Sequence, residues 1–208
     1  MLHRFRTLDN PTEAAARVVV GGLCLVLAWR LGRDFLRTGR LTDLLLLVSE
    51  SLVVIMTCLR RMAADIDRRA IVRLVTLVSM LSPLLVRPGP VGSPVVETVA
   101  AAVIGIGLLI GIGGKLSLGY SFGLLPANRG VIDRGLYRIV RHPIYLGYLI
   151  THVPFWAAHP TAWNAVVLIA GDAALLARTF YEERMLSKDP QYVRYRQTVK
   201  WRLVPGLC

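Results

Sequence analysis

Long apolar runs separated by short polar stretches dominate the sequence. Six runs are candidates for membrane helices: 14–32, 41–59, 70–86, 94–114, 143–158 and 161–178. A bilayer core of about 30 Å requires about 20 mostly apolar helical residues. The runs lack the alternation of a membrane β-barrel, and backbone polar groups cannot stay unpaired in lipid. The pattern therefore predicts an all-α integral membrane bundle of five to six transmembrane helices with a C-terminal cytoplasmic helix or tail.

Composition agrees with a chain embedded in a bilayer. Of the 208 residues, 54% are hydrophobic and 18% charged, against about 45–50% and about 25% in soluble domains. These values exclude a disordered tail, a fibrous repeat and a disulfide scaffold. The net charge is +12, and 22 of the 25 basic residues are arginines placed between the apolar runs. We expect lipid headgroups, and not nucleic acid, to be the partner of this charge.

The basic residues also predict an orientation. They concentrate in three stretches, at 60–69, 129–141 and 184–202. Since cytoplasmic loops carry an excess of Lys and Arg, these loops and the C-terminus are expected in the cytoplasm of an inner or plasma membrane protein. Four further arginines share one helix face: Arg30, Arg33, Arg37 and Arg40. Either they form a helix at the headgroup layer or the first segment does not cross fully, so five and six spans both stay open.

Two features lie within the apolar segments. Gly107 and Gly111 have the small-xxx-small spacing that lets two helices approach closely, and no βαβ pattern surrounds them that would favour a dinucleotide site. Glu50 and Asp172 are acidic residues at central positions of their runs. An ionisable group in lipid marks either an inter-helix pair or a transport pathway, and the pair is the preferred interpretation.

The C-terminal half carries the candidate chemistry, so we divide the chain into N-terminal membrane segments, 1–114, and a catalytic region, 115–208. Pro143 suits the first turn of the fifth segment. Free N–H groups at that helix start, next to Arg141, His142 and Tyr145, indicate either an anion site or a headgroup anchor. Arg178 lies four residues before an acidic position, on the same helix face.

Taken together, five motifs resemble the isoprenylcysteine carboxyl methyltransferase family and the related phospholipid methyltransferases. They are Gly135-Leu136-Tyr137, Arg141-His142-Pro143-x-Tyr145-x-Gly147, Arg178 with Glu182-Glu183, Tyr192-x-x-Tyr195 and Arg202-x-x-Pro205. The order and spacing are kept over about residues 115–205. The resemblance implies an integral membrane enzyme that uses S-adenosylmethionine (SAM).

The resemblance also implies roles for individual residues. A cofactor-lining tetrad corresponds to Arg129, Gly130, Val131 and Ile132, with Arg129 where the family has histidine. The other cofactor positions correspond to Tyr137, His142, Pro143, Ile144, Tyr145 and Glu182. Arg178 corresponds to the arginine that holds the substrate, which makes Arg178 and Glu182 the expected catalytic residues. No metal site is expected.

Several functions remain as alternatives. The preferred one is carboxyl O-methylation of a lipidic or prenylated, isoprenylcysteine-like acceptor; a carboxylate nucleophile is already ionised and needs no base. A phospholipid amine acceptor would need one, for which Glu183 is the candidate. Some sterol reductases share a related C-terminal half and use NADPH, so a membrane reductase is a third possibility. A transporter would depend on Glu50 and Asp172.

Overall fold

The computed structural model describes residues 22, 25–26, 28–29, 32–33, 35–37, 41–59, 65–87, 93–123 and 125–207. Cα distances divide the chain into two compact units, residues 1–59 and residues 60–208. Most of the predicted first segment lies outside the described residues, as do Arg30 and Arg40. Arg33 and Arg37 are exposed helical residues. The division at residue 114 concerns function and stays a prediction.

In the first unit, α1 spans Leu41–Leu59, the same bounds as the predicted second segment. The described residues of the second unit contain five α-helices: α2 Ala70–Leu85, α3 Pro94–Leu118, α4 Pro143–Ala158, α5 Ala162–Leu186 and α6 Pro190–Thr198. Short 3-10 helices occupy Gly119–Ser121 and Gly135–Arg138. Two short strands, β1 (Asp65–Ile66) and β2 (Ala127–Asn128), pair antiparallel. The all-α prediction is confirmed for the described residues apart from this two-residue ladder.

Helices α3 and α4 pack antiparallel through glycines. A Cβ atom on Gly107 would lie 2.8 Å from the Gly147 carbonyl oxygen, and one on Gly147 would lie 2.7 Å from the Gly111 nitrogen. Side chains at Gly107 and Gly147 would therefore push the helices apart. The predicted close packing through Gly107 and Gly111 is confirmed, and Gly147 on α4 is the residue that they face.

Helix α5 packs along α2, and a buried asparagine joins their ends. Asn164 accepts from the Arg87 backbone N–H at 3.0 Å and donates to the carbonyl oxygens of Arg87 and His159 at 2.9 and 3.0 Å. The Trp163 indole donates to the Leu85 carbonyl oxygen at 2.9 Å. These bonds satisfy backbone groups at the end of α2 that would otherwise be orphaned. Hydrogen bonds between side chains, such as those from Tyr145 to Glu182 and between His152 and Asp172, bridge α4 and α5.

Two helices of the described residues are long and apolar enough to cross a bilayer, Pro94–Ser121 and Ala162–Leu186. Leu44–Thr57 and Ala70–Leu85 are shorter apolar helices. Only 22% of the most apolar part of the first span is buried, whereas a core helix of a soluble protein would be mostly covered. This exposure is what lipid-facing helices require, and it supports association with a membrane.

Candidate active site

A cavity of about 100 Å³ opens where the loop between α3 and α4 meets the end of α5 and helix α6. Seven of the predicted cofactor residues line it: Arg129, Gly130, Val131, Ile132, Tyr137, His142 and Glu182. Pro143, Ile144 and Tyr145 are buried and form the first turn of α4 beside it. As predicted, Pro143 begins that helix. Residues from four separate stretches of the sequence therefore converge on one concave surface.

The tetrad is held by its own loop. The Asn128 side-chain oxygen accepts from the Gly130 N–H at 3.0 Å, and the Ser121 hydroxyl donates to the Arg129 carbonyl oxygen at 3.1 Å. Gly130 has φ +93°, a backbone conformation that favours glycine. The Asn128 amide also donates to Asp189 at 2.9 Å, just before α6. The loop and α6 thus form one wall of the cavity.

The guanidinium of Arg129 packs directly against Gly123, where a Cβ atom would collide with it. Both residues line the cavity. Glycine at this position leaves room for the buried arginine. Arg129, which stands where the family that the sequence resembles has histidine, is therefore accommodated at the cavity wall.

Three tyrosines close the cavity. The Tyr195 hydroxyl donates to the Tyr137 carbonyl oxygen at 2.7 Å, which fixes α6 to the loop. The Tyr192 side chain also lines the cavity, and its buried hydroxyl has no hydrogen-bond partner among the described residues. Burial raises the pKa of each of Tyr137, Tyr192 and Tyr195, so all three stay neutral at physiological pH. A buried hydroxyl without a partner is costly unless a ligand or water bonds to it.

Glu182 lies between the cavity and the hairpin of α4 and α5. Its carboxylate accepts a short hydrogen bond from the Tyr145 hydroxyl. It lies 3.6 Å from the Arg178 guanidinium and 3.7 Å from His142 Nδ1. The predicted pairing of Arg178 with Glu182 is therefore present, and one face of this carboxylate reaches the cavity.

Arg178 does not line the cavity but lies behind Glu182. Its side chain is only 7% exposed. The guanidinium donates to the Ser79 hydroxyl at 3.1 Å and lies 5.1 Å from the centre of the Tyr145 ring. It is thus placed on the hairpin side of Glu182, away from the cavity.

Glu183 has a different environment from its neighbour. Its carboxylate accepts from Arg141 Nε at 2.7 Å and from the Arg202 guanidinium at 2.9 Å, and it lies 3.3 Å from His142 Nε2. The anion beside Arg141 at the start of α4 is therefore the chain's own Glu183. A carboxylate held by two guanidinium groups is a weak base.

The C-terminal tail is attached to the same corner. The Arg141 guanidinium donates to the carbonyl oxygens of Val199 and Lys200, at 3.0 and 2.6 Å. The backbone N–H groups of Arg141 and His142 donate to the carbonyl oxygens of Trp201 and Arg202, each at 2.9 Å. These bonds fix the segment that follows α6 and hold α6 over the cavity.

From the sequence alone, the aromatic and basic tail with Tyr192 and Tyr195 can either lie at the lipid headgroups or cover a site. The structure favours the cover, since both line the cavity. Their Tyr-x-x-Tyr spacing on one helix face was the available signal. The structural role of Glu183 was missed, because its partners Arg141 and Arg202 come from distant parts of the chain.

A protein-family model described as "Protein of unknown function (DUF1295)" matches residues 70–200. The matched range begins at α2 and ends in the tail, so it includes the whole cavity and Arg178. A search of curated proteins found no match.

Proposed function

The chain belongs to the DUF1295 family, and on this premise we propose that it is a SAM-dependent methyltransferase that acts on a lipidic acceptor. The observation that carries the proposal is the convergence of seven residues, expected from the resemblance to bind the cofactor, on one cavity. Arg178, expected to hold the acceptor, lies on the other side of Glu182 from that cavity. Two substrates would thus approach one carboxylate from opposite sides.

The residues around the cavity fit the groups of SAM. The ligand carries a carboxylate, an ammonium group, ribose hydroxyls and a sulfonium. Arg129 at the wall is suited to a carboxylate, and Glu182 is suited to accept from an amine or from hydroxyls. The buried Tyr192 hydroxyl offers a donor that requires a partner. The charged side chains of Arg129 and Glu182 and the hydroxyl of Tyr192 therefore each have a counterpart among the groups of SAM.

Within the proposal, SAM supplies an activated methyl group, and the chain supplies position and charge. Arg178 would orient an acceptor carboxylate by a charge-assisted hydrogen bond while Tyr145 and Ser79 hold the guanidinium in place. The apolar surroundings of the hairpin would exclude water from this nucleophile. Holding the reacting groups in line is the main source of rate in a displacement of this kind.

The same geometry weighs against one alternative acceptor. A phospholipid amine must lose a proton before it is methylated, and Glu183 was the candidate base. Both Glu183 oxygens accept from guanidinium groups, so the base would have to be another group. Carboxyl O-methylation of an isoprenylcysteine-like acceptor, which needs no base, is therefore the preferred chemistry. A bundle of five to six spans, with the cavity on the cytoplasmic side, belongs to the same proposal.

Binding of S-adenosylhomocysteine to the purified protein, measured by calorimetry, tests the proposal. We expect wild type to bind and Glu182→Gln to lose about 10- to 100-fold in affinity, as for a lost bond to a charged group. His142→Ala should weaken binding as well. NADPH should not bind; binding of NADPH without S-adenosylhomocysteine would favour the membrane reductase and refute the methyltransferase.

Two matched variants separate ligand contacts from structural contacts. Tyr192→Phe removes the hydroxyl without a partner and should weaken S-adenosylhomocysteine binding about 2- to 10-fold, with little change in thermal stability. Tyr195→Phe removes a hydroxyl that bonds to the chain and should lower stability instead.

Arg178→Ala should weaken acceptor methylation while cofactor binding is largely kept. An equal loss of acceptor methylation and of cofactor binding would show that the role of Arg178 is wrongly assigned.

A further inference from the structure

A polar pair bridges α4 and α5 well away from the cavity. His152 Nδ1 lies 2.6 Å from Asp172 Oδ1. The two side chains are 13% and 23% exposed, so a molecule at the surface of the hairpin can reach them. The predicted inter-helix hydrogen bond of Asp172 is thereby confirmed, with His152 as its partner. The proposed methyl transfer at Glu182 gives this pair no task.

The carboxylate determines what the imidazole can offer. The Asp172 carboxylate accepts a hydrogen bond from His152 Nδ1, so the proton of the neutral ring lies on Nδ1. His152 Nε2 is then left as a hydrogen-bond acceptor. Among the residues that the structure describes, nothing is bonded to Nε2. A ligand that binds to Nε2 must donate a hydrogen bond to it, as a hydroxyl does. A pair that only joined two helices would not need a reachable second nitrogen.

Further polar groups lie beside the pair and along α5. Tyr148 stacks on His152 with 6.4 Å between ring centres and 9° between planes, and the Lys115 ammonium lies 5.3 Å from the Tyr148 ring centre. Arg178 is six residues beyond Asp172, about 9 Å along the axis of α5. We call this row of five residues, Lys115, Tyr148, His152, Asp172 and Arg178, the polar seam.

The surface around the seam is apolar. Val153 on α4 is 68% exposed, and Val166 and Ile169 on α5 are 64% and 70% exposed. A molecule that reaches His152 from this side must therefore be largely apolar itself. Its polar groups would have to match the two ends of the seam, a cation at Arg178 and an acceptor at His152.

We propose that the polar seam is a second subsite for the acceptor, in which His152 binds a hydroxyl on the apolar body of the molecule whose other polar group Arg178 holds. The acceptor is thus a lipid with a carboxylate at one position and a hydroxyl at a defined distance along its apolar body. This inference deepens the proposed function, because it takes Arg178 as the acceptor-binding residue. It does not depend on the identity of the cofactor.

Fatty acids that carry a terminal hydroxyl provide the test. A series of ω-hydroxy fatty acids of increasing length is compared with the matching fatty acids without the hydroxyl. Binding to the full chain in nanodiscs is followed by the shift in thermal unfolding, for wild type, His152→Phe, Asp172→Asn and the surface control Val95→Ala at the exposed start of α3. The same two acids are tested with every protein. The difference in how they partition into lipid therefore cancels when the proteins are compared.

At one chain length, wild type and Val95→Ala should bind the hydroxy acid about 2- to 10-fold more tightly than the matching acid without the hydroxyl. His152→Phe should lose this preference while the plain acid still binds. Asp172→Asn keeps an oxygen for Nδ1 and should retain the preference. A preference that is absent at every length, or that His152→Phe keeps, would overturn the proposal. If wild type prefers the hydroxy acid but does not bind S-adenosylhomocysteine, the methyltransferase proposal is refuted and the subsite proposal stands.

Discussion

Replacement of Glu183 by alanine is expected to release the C-terminal tail. The change leaves the guanidinium groups of Arg141 and Arg202 without their anion, and the side chain of the first is only 8% exposed. Breaking a buried pair costs about 3–5 kcal/mol. Because the Arg202 side chain is 24% exposed and partly screened by solvent, we take the lower value, about 3 kcal/mol.

That energy acts on a local opening and not on the whole fold. A domain is stable by about 5–15 kcal/mol, so the helices should survive while the tail separates from the start of α4. A loss of about 3 kcal/mol raises the population of the open tail about 100-fold. The amides of Arg141 and His142, which donate to tail carbonyl oxygens, should exchange with solvent faster by that factor.

Hydrogen–deuterium exchange followed by mass spectrometry measures this opening. Glu182→Ala is the matched control: the neighbouring carboxylate is removed, the tail contacts stay, and exchange at the start of α4 should be as slow as in wild type. Adding Arg202→Leu to Glu183→Ala should recover part of the protection, since one unpaired cation is removed. Wild-type exchange rates in Glu183→Ala would refute the reasoning, because the tail would then be held without this carboxylate.

Three further outcomes follow from contacts elsewhere in the fold. Gly107→Ala should lower the melting temperature in detergent because its Cβ would strike the facing helix, whereas Gly111→Ala, whose Cβ enters open space, should leave it unchanged. Asn164→Ala leaves three backbone groups unsatisfied and should cost about 3 kcal/mol in thermal unfolding, without an effect on S-adenosylhomocysteine affinity. Arg69 holds the pKa of Asp67 below its ordinary value, so this ion pair stabilises the fold above about pH 4 and the stabilisation is lost as pH falls through the lowered pKa. The difference in melting temperature between wild type and Asp67→Asn should therefore be present at neutral pH and close in acid; a gap that persists in acid would contradict this assignment.

The apolar runs predicted where helices lie better than where they end. The bounds of α1 and α4 agree with the predicted runs, whereas α3 continues to Leu118 and α5 to Leu186, beyond the predicted 114 and 178. Hydropathy reports which residues suit lipid, but a helix ends where its backbone groups find other partners. In α5 the extra residues include Glu182 and Glu183, so the charged end of this helix carries the site.

The site could be predicted from motifs, but its supports could not. Spacing alone placed Arg178 and Glu182 on one helix face, and the family resemblance supplied the residues of the cavity. The sequence indicated a partner for Asp172 but not that this partner is His152, which lies six residues before the end of α4, whereas Asp172 lies ten residues after the start of α5. Unequal distances from the turn gave no spacing signal for this pair, which only the packing of the two helices reveals.

Adjacent positions on α5 join the cavity to the tail. Successive residues of a helix point about 100° apart, so Glu182 faces Tyr145 and Arg178 while Glu183 faces Arg141 and the tail. His142 lies between the two carboxylates, 3.7 Å from one and 3.3 Å from the other. The tail contacts at Arg141 and His142 hold α6 over the cavity that Glu182 lines, so a ligand in the cavity meets the closed tail. By linkage, a ligand that binds only with the tail closed must slow the opening of the tail by the factor that its concentration and affinity set. Tail exchange that is indifferent to saturating ligand would mean that the ligand binds equally well with the tail open.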